Sequence, residues 1–208
     1  MIFRNVSIFF SLLLLLVSAT TVQAVECFAP SPSVKNNIDV YEEIKTRKLT
    51  KAEYEQLSQL FTSIKGGWKG KAETVTCKGS QDAPRQDTVR YDVVSDVETG
   101  LSNSIMIKSE LHSGEKKQNY QETLTYFLSP ERLGVTDSSR AGDVELINVA
   151  RNFLVYLRKV NKRTPAGGLV AQEFVKSIAV YDHSLMLEDL SYSNGLLESR
   201  STWKLIRR

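Results

Sequence analysis

The chain has 208 residues, with 27 Lys and Arg against 24 Asp and Glu for a net charge of +3. Acids and bases are interspersed, which excludes the one-sided basic stripe of a nucleic-acid-binding surface. With 41% hydrophobic residues the chain is long enough to bury a core without metal staples.

The first segment reads as an export signal. Arg4 supplies a positive start, residues 8–17 are apolar apart from Ser11, and Val22-Gln23-Ala24 forms a small-residue cleavage site. An apolar run of about ten residues is too short for a bilayer that needs roughly twenty. Residues 1–24 are therefore expected to be a signal peptide, with the mature protein starting near Val25 and working in the periplasm or outside the cell. Cys27 and Cys77 both survive cleavage, and two thiols in an oxidising compartment are expected to pair. Glu26, directly before Cys27, argues against lipid attachment there.

Residues 28–33 form a Pro/Ser/Ala linker, and Val34, Ile38, Tyr41 and Ile44 then recur at helical spacing. The clearest local signal follows at 49–65. Thr50 is placed as an N-cap, Glu53 completes a capping box, and Leu49 and Tyr54 take the two hydrophobic-staple positions. Tyr54, Leu57, Phe61 and Ile64 make an apolar stripe for packing on a sheet, and Gly66 supplies the stop.

After Gly67 the period changes to two. Trp68, Gly70, Ala72 and Thr74 share one face, and Val89, Tyr91 and Val93 another. Ile105, Ile107 and Leu111 follow, then Tyr120, Leu124, Tyr126 and Leu128. Residues 133–143 read as a polar loop. Residues 143–160 suit either a helix or two strands around Ala150-Arg151-Asn152, and their β-branched content favours the hairpin. After the loop at 164–168, three segments close the chain as a meander, with Asn194-Gly195 as the strongest hairpin turn. The short basic tail Lys204, Arg207, Arg208 reads as the wet end of a strand.

A long meander must curl or close, because open twisted sheets expose their edges. The expected fold is all-β: an antiparallel up-and-down barrel of roughly eight to ten strands with an N-terminal helix. Residues 25–48 are a linker with a possible helix, and 49–208 hold the helix and the barrel. Gly66-Gly67-Trp68, entered from a short helix, together with the final strand Ser201-Thr202-Trp203-Lys204-Leu205-Ile206-Arg207, resembles the lipocalin and calycin superfamily. The resemblance implies a bacterial exported barrel in which a basic residue of the last strand covers the Trp ring. Trp203, Leu205 and Arg207 share a face, so Arg207 is the candidate to stack on Trp68, with Gly66 as the third structural position.

Catalytic signatures are absent: no Gly-x-Ser-x-Gly elbow, no His-Glu-x-x-His and no phosphate loop. His112 and His183 both fall in turn-like sequence. No metal or cofactor is expected, and the chain reads as a non-enzyme. Glu188 and Asp189 are adjacent on a strand and must face opposite sides. Glu122 and Glu173 alternate with apolar neighbours, so each either points into the barrel or sits at a wet rim. Tyr91, Tyr120, Tyr126 and Tyr181, with Trp203, either line a cavity or pack an ordinary core. Tyr91, Tyr120, Glu122, Tyr126 and Tyr181 are the candidate ligand-binding residues. The leading expectation is a monomeric exported protein holding a small, largely apolar ligand in the barrel. The alternative is an envelope protein-interaction module with a filled barrel and the 133–143 loop as its contact.

Overall fold

The computed structural model describes residues 26–100, 104–114, 118–136 and 141–208. The expected export signal and cleavage site lie outside the described residues. Among the described residues no helix is long and apolar enough to cross a membrane.

Among the described residues two helices precede the strands: α1 (Pro32–Lys35) and α2 (Lys51–Ser63). Eleven strands follow. They are β1 (Gly66–Ser80), β2 (Ala83–Thr99), β3 (Ile105–Ser113), β4 (Gln118–Leu128), β5 (Leu133–Thr136) and β6 (Ala141–Asp143), then β7 (Glu145–Ala150), β8 (Phe153–Arg163), β9 (Leu169–Tyr181), β10 (Ser184–Ser193) and β11 (Leu196–Arg207). All pair antiparallel in one sheet of order β6-β5-β4-β3-β2-β1-β11-β10-β9-β8-β7. The expected antiparallel barrel with an N-terminal helix is the observed class, curled as a half-barrel.

Chain connectivity forces the curl. Strands β6 and β7 are the two edges of the sheet, yet only Val144 separates them in the chain. Laid flat, eleven strands about 4.8 Å apart would part those edges by nearly 50 Å. One extended residue spans less than about 4 Å. The sheet therefore bends round until its edges nearly meet, and buried Val144 bridges them. No ladder joins β6 to β7 among the described residues.

Helix α2 packs against β7, β8 and β4 and plugs the interior at one end. Its capping box is formed, with Thr50 Oγ1 accepting from the Glu53 amide and the Glu53 carboxylate accepting from the Thr50 amide. Arg47 donates to the same carboxylate, and that hydrogen bond holds the Glu53 carboxyl down at about 2. Leu57, Leu60, Phe61 and Ile64 are buried and join one core with Trp68, Val93, Leu154, Ile178 and Leu205. Helix α2 ends before Gly66, whose φ of +112° suits glycine.

Two expectations change. The helical spacing of 34–44 yields only the single turn α1, capped by Ser31, and Val34, Ile38 and Tyr41 are exposed. What fixes this segment is backbone pairing. Phe28 N–H donates to Leu197 O at 3.1 Å, Leu197 N–H to Ala29 O at 2.9 Å and Ser31 N–H to Gly195 O at 2.7 Å. Residues 27–44 thus form a strap tied to β11, and the Cys27–Cys77 disulfide anchors its start to β1. The second change is in 133–143, read as a loop, where the chain forms β5 and β6. Leu133 and Val135 are buried on alternate positions, and that short period two is what makes β5 a strand. The hairpin expected at 143–160 is present as β7 and β8.

Candidate functional site

A cavity of about 140 Å³, partly open to solvent, lies inside the curl. One wall comes from β3 and β4 and the other from β9, β10 and β11. Strand register sorts its lining by depth. In the core shared with α2, Val180, Leu185 and Leu205 form a buried apolar floor, and buried Leu154 stands opposite Ile178 one step out. The next level brings Ile107, Leu124, Ile178, Leu187 and Trp203 to the cavity wall. One step further out, the same faces carry Ser109, Glu122, Lys176, Asp189 and Ser201. The cavity is therefore apolar below and charged above.

The charged level is anchored across strands. Lys176 Nζ lies 2.6 Å from Asp189 Oδ2, and these residues are register partners on β9 and β10. Asp189 Oδ1 is buried and accepts no hydrogen bond within the protein. Glu188 points the other way along β10 and pairs with Arg200 at 2.6 Å, the opposite-face arrangement expected of adjacent strand residues. Ser95 and Ser109 hydroxyls bond to each other at 2.8 Å on the inner face of β2 and β3.

Tyr126 lines the cavity, and its hydroxyl meets that of Tyr156 at 3.2 Å, both residues being buried. Their rings cross edge to face at 6.0 Å, and Phe61 of α2 packs on Tyr126 at 5.2 Å. Burial pushes the Tyr126 phenol far above its usual value. The Tyr156 hydrogen bond opposes that rise, and the charges of Asp189 and Glu122 add to it. Burial likewise raises Tyr156, with Tyr126 reinforcing. Exposed tyrosines of the unfolded chain ionise near pH 10. The unfolded state then binds fewer protons than the folded state, so stability falls as pH rises past that value. Urea midpoints measured across the alkaline range should decline for the wild type and decline less steeply for Y126F/Y156F. Equal slopes would show that the two phenols do not titrate as described.

The structure brings together only part of the set expected from sequence. Glu122 and Tyr126 line the cavity, as does Trp203. Tyr91 and Tyr120 do not line it; they pack edge to face on each other at 6.0 Å, and Tyr120 is 46% exposed. Tyr181 is 54% exposed at the β9–β10 turn, so it is not a cavity residue. It lies on the face of β9 opposite Ile178. Glu173 shares that opposite face and does not point into the barrel. It is fully buried, 3.6 Å from Lys159, whose ammonium also donates to Asp39 O and Glu42 O of the strap. The strap covers an outer face, and so a buried position there resembles an inward one in the sequence. His112 is exposed and bonded to Asn119, and His183 is exposed.

At the closed end, the Arg207 guanidinium sits 4.4 Å from the Trp68 ring centroid. Its two terminal nitrogens donate to Lys65 O at 2.7 Å and Ser63 O at 2.6 Å, satisfying carbonyls at the C-terminus of α2. Trp68 Nε1 donates to Ile64 O at 2.7 Å. Beside them, Gly66 leaves only 3.0 Å to Arg207 for any added Cβ. Lys176, Leu187 and Ser201 were not singled out as site residues from the sequence, and Asp189 was noted only as facing away from Glu188. The available signal was Lys176 alternating with Ile178 and Val180, a cation on an otherwise apolar face.

No family model matches the chain, and no curated protein matches it. Among solved structures, the chain is similar to a protein with unknown function from the DUF3598 family of Nostoc punctiforme PCC 73102. The two are 15% identical with a TM-score of 0.46, over 71% of this chain and 49% of that one. The chain thus spans about half the length of that structure.

Proposed function

We propose that this protein is an exported, non-enzymatic binding protein that holds one small molecule with an apolar body inside its lipocalin-like barrel. The observation that carries the reading is the cavity of about 140 Å³, with apolar walls at its depth and charged groups at its outer level. An apolar cavity of about 150 Å³ in another protein takes up benzene, so the volume suits one ring or a short chain. The disulfide between Cys27 and Cys77 agrees with an oxidising compartment. The segment that motivated a protein-docking loop is largely taken up by β5 and β6.

Native mass spectrometry of protein purified from its source should reveal a bound small molecule. In parallel, benzyl alcohol should raise the unfolding midpoint, by about 2.7 kcal/mol of stability at a hundred times its dissociation constant. Leu187→Trp, which fills the cavity, should abolish that shift while the protein still unfolds cooperatively. Stabilisation that persists in Leu187→Trp, or none in the wild type, would overturn the reading.

A further inference from the structure

We infer that the cavity selects a ligand whose polar end is a protonated amine: a small aromatic or aliphatic amine bound ring-down, its ammonium at the level of Asp189. The inference rests on the cavity-binding reading and adds the chemistry of the ligand's head. Three observations carry it. First, Asp189 Oδ1 is a buried acceptor with no hydrogen bond from the protein, although its sister oxygen is held by Lys176. A buried carboxylate oxygen without a donor is costly, and a ligand N–H removes that cost. Second, the charged level of the cavity sets Asp189 beside Glu122, with Lys176 already committed to the other oxygen of Asp189, while Glu188 reaches the wall but pairs outward with Arg200. A carboxylate ligand would set its oxygens against Asp189 Oδ1, acceptor facing acceptor, whereas an ammonium donates to it. Third, the polar and apolar levels are stacked along the strands, so a molecule with a ring at one end and an amine at the other matches both.

Arg158 and, at the closed end, Arg207 also lie on the inner face. Arg158 of β8 is buried beside the cavity rather than lining it, with its guanidinium 6.0 Å from the Phe174 ring centroid. It neighbours Tyr156 and is directed to the level beyond Lys176. It does not supply the donor that Asp189 Oδ1 lacks.

The test compares three probes of matched shape, benzylamine, benzyl alcohol and benzoate, by calorimetry and thermal shift at pH 7. Benzylamine should bind at least about tenfold tighter than benzyl alcohol, the range of one hydrogen bond to a charged group. Benzoate should bind weakest. Asp189→Asn should erase the amine preference, so that benzylamine and benzyl alcohol bind the variant alike. Because that variant strands Lys176, the double variant D189N/K176Q, which removes the pair as a unit, serves as the second arm with the same expectation. Equal binding of all three probes would overturn the inference and leave the cavity reading standing. Tightest binding of benzoate would overturn it in favour of anion selection. Binding of none would sink both.

Discussion

Replacing Trp68 with alanine is expected to cost about 3–5 kcal/mol of folding stability, the largest effect of any single substitution considered. Trp68 is fully buried, and its indole does three things at once. It fills the closed end of the curl, it donates from Nε1 to Ile64 O at the end of α2, and it offers its face to Arg207. Truncation leaves a cavity under the helix and strips one helix-terminal carbonyl of its donor. Arg207→Lys tests the second half of the arrangement. Lysine keeps the charge but cannot reach Ser63 O and Lys65 O with a planar fork, so a loss of about 1 kcal/mol or somewhat more is expected. Urea unfolding measures both. A Trp68→Ala protein within about 1 kcal/mol of the wild type would show that α2 does not depend on this corner.

Removing the disulfide in Cys27→Ser/Cys77→Ser is the second large effect, a loss of about 4 kcal/mol from a loop of 50 residues in the chain-entropy account. The consequence is local as well as global. The strap carries the carbonyls that complete the shell of Lys159, and Lys159 is the partner of fully buried Glu173. Once the bridge is gone, the strap is held by a few backbone hydrogen bonds to β11 and a few side chains. Hydrogen exchange at the Ser31 and Leu197 amides should then speed up well before the rest of β11 opens. Coincident exchange at these amides in oxidised and bridge-less protein would show that the strap is held without the bond.

Local chemistry was legible in the sequence wherever one element decides its own shape. The capping box of α2 needs only Thr50 and Glu53, and the Asn194-Gly195 turn needs only two residues with positive φ, at 47° and 81°. An added Cβ at Gly195 would stand 2.5 Å from Val34, a constraint set by the strap and invisible in the dipeptide. Period-two patterning correctly grouped Val89, Tyr91 and Val93, and Ile105, Ile107 and Leu111. It could not say which face of a strand is the interior. On β9 around Glu173 both faces are covered, one by the core and one on the strap side, so alternation there left its side open, and exposed Tyr181 lies on that same outer face. Glu122, Tyr126 and Trp203 do line the cavity, on the face that their alternation with Leu124 and Leu205 marks as apolar. The partners that give the cavity its polarity, Lys176 and Asp189, meet only through the β9–β10 register. Register is a property of the hairpin and not of either strand alone.

Among the described residues, every ladder in the sheet but one links strands that are consecutive in the chain. The exception joins β1 to β11, with Trp68 opposite Arg207. The consecutive hairpins can zip from local encounters, whereas this pairing must close nearly the whole strand-forming length before it gains anything. Assembly of the shell therefore waits on a single distant meeting in the middle of the sheet. A polypeptide lacking β11 would be left with two fans of hairpins and no spine to join them.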